Sequence, residues 1–133
     1  MEAVAVLGLL GLGVSLSAPT ARRGADRALV VGAREEVVGG LIEARALAVA
    51  TGGATATLLG SPPTLRIDAK MRDSSPRVRM FDHRVALILD KSLDSISIVF
   101  DGLGLGRFAS HTIALERRGA RAAVVVSSYG RIT

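Results

Sequence analysis

The stretch that decides the fold is AVAVLGLLGLGVSLSA, residues 3–18, which contains no charged residue and is followed by Pro19. Charges first appear in ARRGADR, residues 21–27, yet the helical spacing of apolar residues continues to about Ala50. A single helix from Glu2 to Ala50 would be roughly 73 Å long at 1.5 Å per residue. That length exceeds the core of a 133-residue protein, so we expect the apolar half of the helix to enter a membrane.

The apolar run also has a second interpretation. Residues 3–19 are at the lower length limit for a bilayer-spanning helix. A cleaved secretory signal, with Ser15-Leu16-Ser17 as its small-residue cleavage site, is the alternative. The acidic Glu2, in place of a basic n-region, favours the anchor. The arginines after the run would by themselves place the C-terminal side in the cytoplasm, so the orientation has to come from other evidence.

Residues 25–50 have the pattern of an amphipathic helix. Apolar residues recur at spacings of three and four, and form one stripe: Val30, Ala33, Val37, Leu41, Ala44 and Ala48. Four further apolar residues are expected to widen it: Val31, Val38, Ile42 and Val49. Thr51-Gly52-Gly53 predicts the end of the helix. Because the stripe is narrow and rich in alanine, we expect it to pack closely against a sheet.

From Ala54 the apolar period changes to two, which predicts β-strands. Turn signals separate seven candidates: ATATLL (54–59), TLRID (64–68), RVRM (77–80), RVALIL (84–89), SISIVF (95–100), TIALE (112–116) and RAAVVVSS (121–128). Several alternate apolar and polar residues, which is typical of antiparallel sheets with one face in water. RVALIL is apolar at both sets of positions, so we expect it to be the most buried strand.

These patterns together predict an α+β fold in which a long N-terminal helix packs on a small antiparallel β-sheet domain. Residues 1–24 would be the membrane-anchoring half of the helix, residues 25–53 its amphipathic half, and residues 54–133 the sheet domain. Hydrophobic residues make up 49% of the chain but aromatic residues only 3%, so the core should be aliphatic. The absence of cysteine excludes disulfides, thiolate metal sites and a cysteine nucleophile.

The charge is unevenly placed along the chain. Five arginines and five acidic residues cancel within residues 1–50, so the net charge of +5 belongs to residues 51–133. A basic outer domain favours acidic partners such as nucleic acid, anionic lipid or an acidic protein surface. A solvated basic surface without a specific partner is the alternative.

The sequence has no pattern typical of an active site, and we predict that the protein is not an enzyme and binds neither cofactor nor metal. Residues 102–106, GLGLG, lack the spacing of a phosphate-binding loop and are interpreted as a hairpin loop. His83 and His111 are too few for a zinc site. Four aspartates match no calcium loop and are interpreted as solvated turn acids: Asp82, Asp90, Asp94 and Asp101.

The order of these features resembles the type IV pilins and the type II secretion pseudopilins. In that family a glutamate near the mature N-terminus leads an apolar helix, with a glycine and a proline at the offsets of Gly11 and Pro19 from Glu2. EVVGGLIEARALAVATGG (36–53) is similar to the ELxxxLxxARxxAxxxG stretch of H-type minor pseudopilins and related minor pilins. VVVSSYGRIT (124–133) resembles the Gly-Arg ending of the same subgroup, so the likeness covers nearly the whole chain.

The family's basic leader ending in glycine, and its leading phenylalanine, are missing from this sequence. We therefore expect either that the coding sequence begins further upstream or that the chain is already trimmed, and no peptidase cleavage site is assigned.

The resemblance implies a minor pseudopilin of a type II secretion system, involved in protein secretion, or a minor pilin of a type IV pilus. Its partners would be other pseudopilin or pilin subunits and the lipid of the inner membrane. The protein would span that membrane once, with the C-terminal domain outside the cytoplasm. Glu2 would meet the N-terminal amine of a neighbouring subunit during filament assembly; the alternative is that Glu2 lies at the headgroup level.

A second function class follows from the basic residues near the C-terminus: Arg117, Arg118, Arg121 and Arg131. Some competence-type minor pilins of the family bind DNA through a basic Gly-Arg-x-Arg ending. Here Gly130-Arg131 is present, but Thr133 stands at the second arginine position. DNA capture is therefore the alternative function, and contacts to the phosphate backbone alone would make it salt-sensitive and independent of sequence.

Overall fold

The computed structural model describes residues 2–71, 73–90, 93–107 and 110–133, with the side chains of residues 2–18 left out. One α-helix, α1 (Glu2–Thr51), contains 50 residues and continues through Pro19. It ends where the hydroxyl of Thr51 donates to the carbonyl of Leu47 at 2.8 Å. Gly52 follows with φ of +79°, the left-handed conformation that commonly terminates helices.

The rest of the described chain forms seven strands in two antiparallel sheets. The strands are β1 (Gly53–Leu59), β2 (Thr64–Ala69), β3 (Arg77–Met80), β4 (Ala86–Ile88), β5 (Ser95–Asp101), β6 (His111–Arg117) and β7 (Ala120–Val126). The first sheet has the order β3-β2-β1-β5 and the second the order β4-β6-β7. The predicted α+β fold is confirmed, with the strands divided between two sheets.

The predicted helix stripe forms one wall of the core. All six of its residues are buried, from Val30 at 1% exposure to Ala48 at 0%. They pack against the inward-facing side chains of the sheets, such as Leu65 and Ile98. The core is aliphatic apart from Phe81 and Phe100 in the described part of the chain. The period of α1 therefore identified the face that the sheets cover.

The prediction that four further apolar residues widen this stripe is wrong for three of them. Val31, Ile42 and Val49 are exposed, at 47%, 55% and 57%, and only Val38 is partly buried against the core. All four follow a buried residue by one position, which corresponds to about 100° of rotation around a helix. They therefore lie beside the buried stripe, on a face that is partly covered at Val38 and exposed at the other three positions.

The RVALIL strand is also corrected. Only Ala86–Ile88 form a strand, at the edge of the second sheet. Val85, Leu87 and Leu89 are buried, whereas Ile88 is 42% exposed. A strand with the core on one side can bury only alternate side chains. The other face of β4 is therefore exposed to water, since no second layer of structure covers it in the described part of the chain.

In the part of the chain whose side chains are described, no helix has both the length and the apolar character needed to cross a membrane. Most of the predicted anchor, residues 1–24, lies outside that part, because side chains are described only from Pro19 onward.

Candidate functional site

The residues predicted to act in assembly lie on the first half of α1. Glu2 and Gly11 are within the helix, but their side chains are outside the described part of the chain, so their roles stay predictions. The side chain of Pro19 is described: Pro19 lies within α1, and it is exposed to solvent.

The helix leaves the sheets near Asp26. Residues 19–25 are all exposed, and among the side chains that are described, from Pro19 onward, the first in the buried core is that of Val30. From Glu2 to Ala25 the helix therefore extends roughly 36 Å along its axis. Residues 19–25 are thus outside the core, whereas the expectation that residues 1–24 form the membrane-anchoring half stays a prediction.

A line of exposed apolar side chains runs along the packed half of α1. Val31, Ile42 and Val49 are separated by 11 and 7 residues, so they lie within about 20° of one another around the helix. They span about 27 Å of its length, and we refer to them as the outer row. Gly32 and Gly39 are exposed nearby, and a Cβ added at either would meet no atom within 4 Å. The sequence reasoning missed this surface, although the same helical period would separate it from the buried stripe.

Of the four arginines predicted to contact DNA, Arg117 is committed to the interior of the fold. Its Nε donates to Oδ1 of Asp26 at 2.6 Å, and its Nη1 donates to the carbonyl oxygen of Arg84 at 2.9 Å. The side chains of Arg117 and Asp26 are only 16% and 13% exposed. Arg117 thus joins α1, the end of β6 and the segment before β4.

Arg121 also has an acidic partner, but on the surface. Its Nε and Nη2 both donate to Oε2 of Glu116, at 3.0 and 2.8 Å, across the β6–β7 pair. The Arg121 side chain is 73% exposed. Surface pairs of this kind contribute little to stability, but this one compensates the charge of Arg121.

Arg118 and Arg131 lie towards opposite ends of β7. Arg118 is in the turn that precedes the strand, whereas Arg131 stands beside the bridge between Val126 and Ile132. The length of β7 separates these places by about 20 Å. The structure therefore does not bring the four arginines into one continuous patch.

Gly130, in the predicted Gly-Arg ending, has a packing role. Its φ is +82°, and an added Cβ would lie 3.0 Å from the backbone nitrogen of Gly106 and 3.2 Å from the carbonyl oxygen of Gly104. The C-terminal segment thus lies directly against the glycine-rich loop. A side chain at position 130 would force the two backbones apart.

The glycine-rich loop, residues 102–106, turns the chain back along β5. The backbone N–H of Asp101 donates to the carbonyl of Leu105 at 2.9 Å. The Asp101 carboxylate accepts the N–H groups of Leu105 and Leu103 at 3.0 and 2.9 Å, which lowers its pKa, and Arg107 lowers it further. Asp101 thus stabilises the loop that follows it through local hydrogen bonds, as is typical of a turn.

A cleft of about 650 Å³ lies beside this loop, between the end of α1 and the sheet. Lys70, Asp101 and Arg107 are among its charged lining residues. Arg107 and Asp101 face each other at 3.5 Å, so two of these charges are already compensated. Asp101 and Arg107 thus hold the glycine-rich loop in place. Within the described residues, no group of catalytic side chains converges in this cleft.

Asp82, another of the turn acids, is held by a neighbour two residues away. Hydrogen bonds from the side chain of Arg84 and then from its backbone N–H lower the pKa of Asp82 to about 2. No three potential metal ligands gather anywhere among the residues that the structure describes. The prediction that the protein binds no metal stays a prediction.

The fold is similar to that of a protein of known structure. The type IV minor pilin FimU of Pseudomonas aeruginosa strain PAO1, in two crystal forms, matches with TM-scores of 0.64 and 0.61 at 20% sequence identity. The matches cover 80% and 77% of this chain and 88% and 89% of the FimU chains. No protein-family model matches the chain, and neither does any curated protein. The protein therefore has a type IV pilin-like fold.

Proposed function

We propose that the protein is a structural subunit of a type IV pilin-like filament, held in a membrane by the apolar half of α1, and not an enzyme. The observation that carries this proposal is the projection of α1. The helix has 50 residues, but residues 19–25 are exposed and burial begins only at Val30. An uncharged run, residues 3–18, occupies the projecting part.

The outer row supports assembly with other subunits. Exposed apolar side chains aligned along one face of a helix can form part of an interaction site. Val31, Ile42 and Val49 provide such a line, and the exposed Gly32 and Gly39 leave room for a neighbouring backbone to approach. A neighbouring subunit would therefore contact this outward face of the helix.

The finer proposal is a minor pseudopilin of a type II secretion system, in the inner membrane, with the sheet domain outside the cytoplasm. The motifs around Glu2, Gly11 and Pro19, and the stretch 36–53, support it. A carboxylate in hydrocarbon is costly unless it is paired, which favours contact between Glu2 and the N-terminal amine of a neighbouring subunit.

A truncation tests the anchor. Removal of residues 1–24 deletes the uncharged run but leaves the buried stripe from Val30 onward in place. We expect the shortened protein to be soluble and monomeric, and the full chain to remain in membranes after extraction with alkaline carbonate. Retention of the shortened protein in the membrane fraction would show that the anchor is misplaced.

Cysteine cross-linking tests filament assembly, since the chain contains no native cysteine. Ile42→Cys in the outer row should cross-link the full chain to neighbouring subunits in membranes of cells that assemble the filament. Glu36→Cys is the matched control, because Glu36 is also exposed on α1 but lies about 140° around the helix from Val31. Equal cross-linking of both variants, or of neither, would contradict the proposed assembly surface.

A further inference from the structure

A second crevice lies between α1 and the β6–β7 turn, at the end of the domain from which the helix projects. Its volume is about 330 Å³, and six residues line it: Arg23, Asp26, Arg27, Arg118, Gly119 and Ala120. It is therefore lined by residues of the helix and of a turn that follows 91 residues later. The crevice is large enough for a phosphate group.

The three arginines of this crevice have no neutralising partner in the described part of the chain. Eight other arginines there each face a carboxylate: Arg34, Arg66, Arg77, Arg79, Arg84, Arg107, Arg117 and Arg121. Asp26, the acid in the crevice, is already paired with Arg117 at 2.6 Å. Three arginines without a carboxylate partner among the described residues thus line one crevice, and clustered charges of one sign attract a counter-ion.

The backbone at Arg118 is unusual for an arginine. Arg117 pairs with Ala120 across the hairpin, and the two turn residues, Arg118 and Gly119, have φ of +45° and +87°. This is the pattern of a type I′ turn, in which asparagine or glycine is preferred at the first position. A left-handed backbone costs an ordinary residue about 1–2 kcal/mol, so the turn itself does not account for an arginine there.

The position along α1 indicates the source of the anion. The chain stays uncharged from Ala3 to Ala21, so Arg23 is two residues beyond the last uncharged position, or about 3 Å along the helix. The headgroup region adds roughly 5–7 Å to each side of the hydrocarbon core. If this uncharged stretch spans the bilayer, Arg23 lies within the headgroup region, and Arg27, about 9 Å beyond Ala21, lies close to its outer limit.

We propose that this crevice binds the phosphate of an anionic phospholipid headgroup, an inference that rests on the membrane anchor proposed above. Arginine is suited to the task because its planar guanidinium donates two parallel hydrogen bonds to phosphate oxygens. Arg23 and Arg27 approach from the helix, and Arg118 approaches from the sheet domain. The bound headgroup thereby holds the domain against the membrane surface at a fixed tilt of α1.

The test uses the full chain in a nonionic detergent, with short-chain phosphatidylglycerol and phosphatidylcholine as probes and native mass spectrometry as the measurement. We expect one phosphatidylglycerol to bind at least tenfold more tightly than phosphatidylcholine. Inorganic phosphate carries the same chemistry without acyl chains, and should bind at least tenfold more weakly than phosphatidylglycerol. Equal binding of inorganic phosphate would assign the crevice to free phosphate and overturn the lipid proposal.

Arg118→Asn removes the charge but suits the left-handed turn, so it should preserve the melting temperature while lowering phosphatidylglycerol affinity at least tenfold. Arg23→Gln combined with Arg27→Gln should have a similar effect from the helix side. Arg131→Gln is the matched control, because Arg131 also lacks an ion-pair partner in the described chain but lies towards the far end of β7; its affinity should be unchanged. Wild-type affinity in the crevice variants, or an equal loss in Arg131→Gln, would overturn the proposal.

Flotation separates this proposal from the anchor. The full chain should float with vesicles of phosphatidylcholine alone, because the apolar helix does not need an anionic headgroup. Failure to float would contradict the anchor and, with it, the membrane context of the crevice. Flotation without any preference for phosphatidylglycerol would contradict the crevice alone.

Discussion

Arg117 donates through Nε to a carboxylate oxygen of Asp26 at 2.6 Å, which joins the end of β6 to α1 across 91 residues of sequence. The pair lies where the helix leaves the domain, between the exposed residues 19–25 and the buried stripe that begins at Val30. A second hydrogen bond from Arg117 reaches the carbonyl of Arg84. The direction in which the projecting helix leaves the sheets is therefore fixed partly by one guanidinium.

Replacement of Arg117 by alanine should lower the free energy of unfolding by about 1–3 kcal/mol, because it leaves a mostly buried carboxylate without its partner. Chemical denaturation of the wild type and the variant measures the difference. Arg121→Ala is the control, since Arg121 and Glu116 form an exposed pair, and it should cost less than about 1 kcal/mol. Equal losses in the two variants would show that Arg117 is not structural.

Leu41 and Ile42 are neighbours in sequence that face opposite environments, at 0% and 55% exposure. Leu41→Ala should lower the free energy of unfolding by about 2–5 kcal/mol, because it leaves a cavity between α1 and the sheets. Ile42→Ala should change it by less than about 1 kcal/mol in the isolated protein. Thermal denaturation of both variants checks the assignment; a large loss in Ile42→Ala alone would reverse the two faces of the helix.

The adjacent glycines of α1 should respond in opposite directions to alanine. A Cβ at Gly40 would overlap Cδ2 of Leu65, whereas a Cβ at Gly39 would meet nothing within 4 Å. Gly39→Ala should stabilise the protein by about 0.5–1 kcal/mol through helix propensity. Gly40→Ala should cost about 1–3 kcal/mol, because Leu65 is fully buried and has little room to move. Melting temperatures that shift in the same direction would contradict this packing.

Glu43 holds the edge strand β3 to the helix through two arginines. Nη1 of Arg77 and Nη2 of Arg79 each donate to one of its carboxylate oxygens at 2.5 Å. The hydrogen bond from Arg77 is the main cause of a lowered pKa of Glu43; partial burial opposes it, and the charges of both arginines lower the pKa further.

Since the folded-state pKa of Glu43 lies below the ordinary value of 4.5, its contribution to stability is complete above that value. The contribution is lost as the pH falls through the folded-state pKa. Glu43→Gln should therefore be less stable than the wild type at neutral pH, and the difference should shrink below about pH 4. Denaturation curves across this range provide the measurement. A difference that grows with acidity would contradict the sign.

DNA binding should be weak, because Arg117 is partly buried and paired with Asp26, and Arg121 is paired with Glu116, which leaves Arg118 and Arg131 at separate places. With about two phosphate contacts, the logarithm of the binding constant should fall with the logarithm of salt concentration at a slope near −2. Gel-shift titrations of the full chain in detergent measure the slope, and Arg118→Gln with Arg131→Gln should abolish it. Micromolar or tighter binding near physiological salt would instead make DNA capture the leading function.

Periodicity was most informative for α1. The spacing of Val30, Val37 and Leu41 identified the buried face, because residues three and four apart share one side of a helix. It did not identify the role of Val31 or Val49. The hydrophobic effect favours burial of any apolar residue, and the sequence does not show which partner would cover it. RVALIL is apolar at both sets of alternating positions, and for the same reason this pattern wrongly predicted that both faces of the strand are buried.

The sequence by itself determined the length of the helix, its apolar first half, the buried face of its second half and the change to β-structure at about residue 53. These features follow from interactions between residues a few positions apart. Only the tertiary structure decided the different roles of Arg117 and Arg118, adjacent residues of which one is partly buried and paired with Asp26 and the other is exposed in a turn. That difference depends on where the strand ends and on which part of α1 lies beside it. Contacts across 91 residues leave no periodic pattern in the sequence, so only the folded chain reveals them.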